Sequence, residues 1–176
     1  MLLAISIIIV ALVAVVLVLA AMKPDKFLIQ RSATVTAGPE KIFPHINNFH
    51  KWASWSPWEK LDPGMKRTFD GSPSGKGAVY EWSGKGKAGA GRMEIVESDQ
   101  PGKVAIKLDF IKPFEGHSMA EFHLQPKGGS TEVTWAMHSP VNFMMKVMHV
   151  FMNMDKMVGK DFESGLANLK TLAERG

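Results

Sequence analysis

The amino end of this chain is an uninterrupted apolar run, and it limits the fold more than any other feature of the sequence. The 21 residues from Leu2 to Met22 carry no charged side chain, and Ser6 is the only polar residue among them. An α-helix rises about 1.5 Å per residue, so the run is about 31 Å long, enough to cross the hydrocarbon core of a bilayer. The sequence therefore predicts a membrane-spanning helix followed by a folded domain.

A cleaved secretory signal is the alternative interpretation of the same run. The small-residue context at Val18-Leu19-Ala20 suits cleavage. However, no basic segment precedes the run, and it exceeds the roughly 7–15 apolar residues of a typical signal. An uncleaved single-pass anchor in the cell membrane is therefore favoured. The expected division is an anchor at residues 1–22, a juxtamembrane linker at 23–26 and a soluble domain at 27–176.

Charge is confined to the part of the chain after the apolar run. There, 21 Lys and Arg against 17 Asp and Glu leave a net charge of +4. Lys23 and Lys26 are partly offset by Asp25, so the positive-inside rule leans only weakly toward a cytoplasmic domain. The lysines are scattered, which suits anionic lipid headgroups better than nucleic acid, and no nucleic-acid partner is predicted. Cysteine is absent, which excludes disulfides, thiolate metal sites and a Cys nucleophile.

The hydrophobic pattern of the domain changes its period twice. The segment from Phe27 to Val35 is typical of a strand, and Pro39 begins a helix that Pro44 should keep short or kinked. From residue 65, apolar and polar residues alternate in runs separated by Gly- and Pro-rich turns, which predicts antiparallel strands with one buried face. From about Pro140 to Glu174 the period becomes helical, and we expect one long amphipathic helix that covers the sheet.

This order of elements and four of its segments resemble the START-like (SRPBCC) superfamily, and within it the polyketide cyclase/dehydrase-like branch. The segments are Arg31–Val35 running to Pro39–Phe43, Trp52–Trp58, Gly91–Ile95 and Met154–Glu163. The resemblance implies an α+β helix-grip fold, with a curved seven-stranded antiparallel sheet packed on a long C-terminal helix. It also implies a cavity between sheet and helix that takes an apolar or amphipathic small molecule. The superfamily includes carriers, sensors, cyclases, hydrolases and protein-binding modules.

Candidate ligand-binding residues are the bulky side chains on the apolar side of the strands and along the helical stripe. They are Tyr80, Trp82, Met93, Phe122, Trp135, Met137, Met148, Phe151, Asp155, Val158 and Phe162. Asp155 stands out because the helical wheel places it inside the stripe between Phe151 and Val158, where a carboxylate is costly to bury unless it is paired. It is therefore the leading candidate for a catalytic group, or else a structural partner for Arg92, Lys156 or a backbone turn.

The favoured function is a membrane-tethered carrier or sensor for a hydrophobic or lipid-like molecule, anchored through residues 2–22. One alternative is a cofactor-independent cyclase or dehydratase that uses Asp155, Arg92, Glu94 or Tyr80. A second alternative is a protein-interaction module with a partner that the sequence does not identify. The six histidines lack zinc-type spacing, so no metal and no cofactor are predicted.

Overall fold

The computed structural model describes residues 2–175; Met1 and Gly176, the ends of the predicted anchor and domain, lie outside them. The chain forms an apolar N-terminal helix, a short second helix, seven strands and two C-terminal helices. In order these are α1 (Leu2–Ala21), β1 (Lys26–Val35), α2 (Pro39–Ile46), β2 (Lys66–Gly71), β3 (Ala78–Ser83), β4 (Ala90–Asp99), β5 (Lys103–Lys112), β6 (Gly116–Lys127), β7 (Ser130–Pro140), α3 (Phe143–Phe151) and α4 (Met154–Glu174). Three short 3₁₀ helices lie at Phe49–Ser54, Pro57–Lys60 and Gly86–Ala88.

All seven strands form one antiparallel sheet in the order β1-β7-β6-β5-β4-β3-β2. The register pairs Lys26 at the start of β1 with Pro140 at the end of β7. The strand ends that share this end of the sheet are Lys26, Pro140, Gly116, Lys112, Ala90, Ser83 and Lys66. Because α1 leads directly into β1 here, we call it the α1-side end of the sheet. This architecture confirms the predicted seven-stranded helix-grip sheet.

The core lies between the inner face of the sheet and α4. Strand alternation turns Val133 and Trp135 inward, where they are buried, while Glu132 and Thr134 face outward. From α4, Phe162, Leu166 and Leu169 are fully buried against this face. Each such side chain stabilises the fold by about 1.5–3 kcal/mol relative to an exposed one.

The predicted single C-terminal helix is wrong, because the chain forms two helices that are separated at Met152 and Asn153. Met152 has extended backbone angles (φ −124°, ψ 129°), and the Asn153 side chain accepts the N–H of Lys156 at 2.9 Å to cap α4. The apolar stripe is therefore split. Its α4 part is buried in the core, whereas Met144 and Phe151 in α3 are largely exposed.

Helix α1 has the length and composition of a membrane span, a property that a signal sequence shares. Most of its side chains are exposed, but Ala20 near its end is fully buried. The helix that packs against it is α3. The turn in the chain after Phe151 thus lets α3 leave the core and meet α1.

Close packing of α4 on the aromatic core predicts that Gly165→Ala destabilises the domain. A Cβ at Gly165 would lie 2.9 Å from Cζ3 of Trp135 and 3.2 Å from Cδ of Pro57. Overpacking costs about 1–3 kcal/mol, and the better helix propensity of Ala returns up to about 1 kcal/mol, so we expect a net loss of about 1 kcal/mol. Urea unfolding followed by tryptophan fluorescence measures it. The exposed Ser164→Ala is the matched control, and equal stability of the two variants would contradict the tight contact.

Candidate functional site

The inner face of the sheet is closed at one end and open at the other. Toward the far end of the strands, Ala78, Val104 and Val133 are buried. Toward the α1-side end, the inner-face side chains of the sheet become progressively more exposed. The partly exposed apolar side chains there are Trp82, Leu108, Phe110 and Met137, together with Phe27 of β1 and Val158 of α4. We call these six residues the mouth, because they mark where the interior meets solvent.

Behind the mouth, aromatic rings fill the space between the sheet and α4. The Trp135 ring stacks on Phe162 with centroids 4.1 Å apart and 7° between planes, and on Phe122 at 4.7 Å. Trp55 and Trp58 meet Trp135 edge-on at 5.6 and 5.3 Å. We call this set the aromatic cluster; its members are Trp52, Trp55, Trp58, Phe122, Trp135 and Phe162. Edge-to-face and offset stacks of this kind add stability beyond burial alone.

The aromatic cluster leaves the implied cavity closed. The described chain has surface clefts of about 280 and 320 Å³. The first is lined by the loop around Asp62 and Lys85, and the second by Leu19, Met22 and Val150 near the end of α1. Neither lies between the sheet and α4. The tryptophans of the segment Trp52–Trp58 are the physical reason, because they occupy the space that the sequence resemblance assigns to a cavity.

One polar atom inside the cluster has no partner. The indole N–H of Trp52 donates to the Ile46 carbonyl at 2.9 Å, and that of Trp55 donates to the His45 carbonyl at 3.0 Å. In contrast, Nε1 of Trp135 is buried without a hydrogen-bond partner. An unsatisfied buried donor of this kind costs about 1–3 kcal/mol. The position is therefore a ready donor for an acceptor atom on an apolar molecule.

A polar triad lies at the β2–β3 side of the inner face. The Tyr80 hydroxyl donates to Glu59 Oε1 at 2.6 Å, and Arg67 Nε donates to Glu59 Oε2 at 2.6 Å. Burial, and then the bond to Glu59, raises the pKa of Tyr80 above its ordinary value. Tyr80 therefore stays a neutral donor at physiological pH. Glu59 and Arg67 were not predicted as site residues, because a contact between a 3₁₀ helix and two strands leaves no local sequence signal.

A second charged group ties α4 to the first strand. Arg31 lies on the inner face of β1 and donates through Nε to Glu163 at 2.8 Å. Its two terminal nitrogens each donate to one carboxylate oxygen of Asp155 at 3.1 Å. Gly159 crosses so close above the guanidinium that a Cβ there would collide with it. We call Arg31, Asp155 and Glu163 the Arg31 latch.

The expected position of Asp155 inside the apolar stripe is wrong. Asp155 belongs to the first turn of α4, Phe151 belongs to α3, and the Asp155 side chain is about half exposed (53%). Its hydrogen bond to Arg31 lowers its pKa below the ordinary carboxyl value. The partner is thus Arg31 and not Arg92, Lys156 or a turn. The sequence marks Arg31 as unusual, since it interrupts the apolar alternation of β1, but it does not identify the partner of that arginine.

The structure separates the candidate ligand-binding residues by depth. Those that are buried are Tyr80, Met93, Phe122, Trp135 and Phe162. Half-buried positions are Trp82, Met137, Met148 and Val158, whereas Phe151 and Asp155 are exposed. Arg92 and Glu94 face outward and pair at 2.8 Å, away from the interior. Residues 2–175 contain no group of three or more His, Asp or Glu side chains placed to hold a metal ion.

Comparison with known proteins gives one family match. Residues 26–174 match the family described as "Polyketide cyclase / dehydrase and lipid transport". No curated protein matches the chain significantly.

Solved structures with the same fold are distant in sequence. Protein CV1439 from Chromobacterium violaceum aligns with a TM-score of 0.60 at 13% identity, over 86% of this chain and 99% of that one. Ara h 8.0201 aligns with a TM-score of 0.58 at 11% identity, over 86% and 99%. The di-domain ARO/CYC protein BexL aligns with a TM-score of 0.63 at 12% identity, over 89% of this chain and 52% of BexL. At these identities the likeness shows the fold alone.

The unpartnered indole predicts that two similar substitutions differ in their effect on stability. Trp55→Phe removes a satisfied N–H and leaves the part-buried His45 carbonyl without this donor. Trp135→Phe removes a donor that has no partner. We expect Trp55→Phe to lower the free energy of unfolding by about 1–2 kcal/mol more than Trp135→Phe does. Urea denaturation of both variants checks this, and a larger loss for Trp135→Phe would mean that its N–H is satisfied.

The Arg31 latch predicts local opening of α4 when the arginine is removed. In Arg31→Ala, hydrogen exchange should accelerate in the first turns of α4 while the sheet stays protected. Because the pKa of Asp155 is lowered, the latch is complete at neutral pH and is lost only as pH falls through that lowered pKa. Arg92→Ala is the matched control, since Arg92 pairs with Glu94 on the outer face. Unchanged exchange in α4 of Arg31→Ala would show that apolar packing alone holds the helix.

Proposed function

This chain belongs to the polyketide cyclase/dehydrase and lipid transport family, and we propose that it is a membrane-tethered binding protein for a hydrophobic or lipid-like small molecule. The observation that carries the proposal is the buried, unpartnered N–H of Trp135 inside the aromatic cluster. A site with an apolar wall and one convergent donor is typical of small-molecule binding. A carrier and a sensor both need such a site.

The chemistry of the interior selects a class of ligand. The aromatic cluster and the mouth favour a flat or flexible apolar body. The Trp135 N–H adds one preference, for an acceptor oxygen such as a carbonyl, carboxyl or hydroxyl group. The Tyr80 hydroxyl already donates its hydrogen to Glu59 at 2.6 Å. We therefore expect Tyr80 to line the site and not to donate a hydrogen bond to the ligand. The ligand expected is thus apolar over most of its length, with one oxygen function.

Entry of this ligand requires the interior to open. The aromatic cluster fills the space under α4, so a ligand has to displace rings or lift the helix. The first turns of α4, before Phe162, are the favoured moving part, because the partly exposed Arg31 latch holds them, whereas Phe162, Leu166 and Leu169 further along the helix are fully buried. Opening at these turns exposes the mouth first.

Tethering through α1 is the second part of the proposal. The helix is apolar, largely exposed and long enough to cross a bilayer. A signal sequence has the same features, so the intact chain in membranes decides between the two. The uncleaved anchor is favoured because the 21 uncharged residues from Leu2 to Met22 exceed the roughly 7–15 apolar residues of a typical signal.

Contact quenching of tryptophan tests ligand binding. The full chain in detergent micelles is titrated with a dibrominated fatty acid and with a dibrominated alkane of equal length, which lacks an oxygen. We expect saturable quenching of the aromatic cluster by both. In Trp135→Phe, loss of about 1 kcal/mol of binding free energy should lower the affinity for the fatty acid about fivefold and leave the affinity for the alkane unchanged.

Two results would count against this proposal. Absence of saturable quenching by either ligand, in a chain that still unfolds cooperatively, would mean that the interior is a filled core. An equal loss of affinity for both ligands in Trp135→Phe would mean that the indole contributes through packing and not through its N–H. The pair of ligands serves as the matched control, because only one of them carries an acceptor.

A cyclase or dehydratase activity is a second candidate, favoured by the triad of Tyr80, Glu59 and Arg67. A phenol held neutral beside a carboxylate can donate a proton to a substrate oxygen if the triad opens. Asp155 does not favour this function, since it is exposed in the Arg31 latch. Turnover of a polyketone substrate that disappears in Tyr80→Phe, while ligand quenching persists, would support the enzyme.

A further inference from the structure

Exposed apolar side chains are concentrated at one end of the domain. Outside α1, the large apolar residues that are exposed in the described chain lie at or beside the α1-side end, with the exception of Phe69 on β2. They are Met22, Leu28, Leu61, Phe110, Ile111, Phe114, Phe143, Met144, Phe151, Met152 and Met157. The far end of the sheet carries none of them. Such a one-sided distribution marks a surface that meets an apolar phase.

Two elements carry the most prominent of these residues. The tip of the β5–β6 hairpin holds Ile111, near the end of β5, and Phe114, in the turn, which are 53% and 68% exposed. Helix α3 holds Phe143 and Met144, which are 52% and 69% exposed. We call this hairpin tip and α3 together the apolar rim. Both elements adjoin the α1-side end, because Gly116 begins β6 there and Pro140 ends β7 just before α3.

The connection to α1 has little slack. Only four residues, 22–25, separate α1 from β1. The Asp25 carbonyl accepts the N–H of Val141 at 2.9 Å, and the Asp25 carboxylate accepts a hydrogen bond from Lys146 of α3 at 2.5 Å. The ring of Phe27 also meets His149 of α3 at 5.1 Å. The end of α1 is therefore fixed against α3 and cannot act as a long flexible leash.

The charges around the apolar rim suit an anionic surface. Exposed lysines at this end are Lys23, Lys26, Lys66, Lys85, Lys87 and Lys112. The acidic groups there are Asp25, which Lys146 binds, Asp62, which accepts the backbone N–H groups of Gly64 and Lys85, Asp109, which contacts His117 and Lys107, and the exposed Glu115. Positive charge thus exceeds negative charge at the rim, which favours anionic lipid headgroups.

We infer that the apolar rim inserts into the headgroup region of the bilayer, so that the domain sits on the membrane with its mouth against the lipid. This inference rests on the proposed tether. The partner is a lipid surface and not a second protein, because the rim is continuous with α1 through the Asp25 contacts and carries lysines around its apolar residues. A hydrophobic ligand then passes between the bilayer and the interior without crossing water.

Depth-dependent quenching in vesicles tests the inference. The chain has no cysteine, so a single substitution gives one labelling site. Phe114→Cys in the rim, Leu12→Cys in the middle of α1 and Lys76→Cys at the far end each receive a nitrobenzoxadiazole label. The full chain is reconstituted into vesicles of phosphatidylcholine and phosphatidylglycerol that carry spin-labelled lipid, either near the headgroup or near the acyl end.

The three positions give distinguishable results. We expect the label at Phe114 to be quenched best by the shallow spin label, the label at Leu12 by the deep one, and the label at Lys76 by neither. Quenching at Leu12 with none at Phe114 would overturn the docking and leave the tether intact. Absence of quenching at Leu12 would overturn the tether itself, and the inference with it. Phe143→Cys repeats the test on α3. If the label at Phe143, like that at Lys76, is quenched by neither spin label, the result would again contradict docking.

Discussion

The stack of Trp135 on Phe162 is the contact on which the arrangement of the domain depends. It joins β7, the neighbour of the edge strand β1, to the centre of α4, with nearly parallel rings 4.1 Å apart. Gly165 follows one turn later on α4 and lets the helix approach the edge of the same indole. The tryptophans of the segment Trp52–Trp58 then close around this stack. The sheet and helix thus enclose an aromatic core, and a ligand site between the sheet and α4 has to be made by rearranging it.

Ion pairs hold α4 to the sheet where the apolar packing between them is incomplete. The Arg31 latch holds the first turns of α4 at a place where the inner face is no longer fully buried. Ion pairs that are partly exposed contribute little stability, because water screens the attraction between their charges. Loss of the Arg31 latch therefore frees the first turns of α4 without disturbing Phe162, Leu166 or Leu169. These turns border the mouth through Val158.

The interruption at Met152 and Asn153 connects the core to the N-terminal helix. An unbroken helix would carry Met144 and Phe151 along the sheet, whereas the break directs α3 toward α1. The linker contacts of Asp25 then fix both helices to the start of β1. As a result the open end of the interior, the exposed apolar side chains and the proposed anchor share one end of the molecule. A protein that binds a hydrophobic ligand at a lipid surface needs these three features at the same end.

Periodicity in the sequence determined the antiparallel sheet, its buried face, the short helix around Pro44 and the apolar N-terminal helix, because these depend on local alternation and on composition. The inner-face positions of Tyr80, Phe122 and Trp135 followed from the same alternation. Tertiary structure alone decided the break at Asn153, since a continuous apolar stripe looks the same with or without a capped interruption. It also decided that Asp155 pairs with Arg31 and that Glu59 joins Tyr80, because the partners are far apart in the chain and contact between them depends on how α4 and the 3₁₀ helix pack across the sheet.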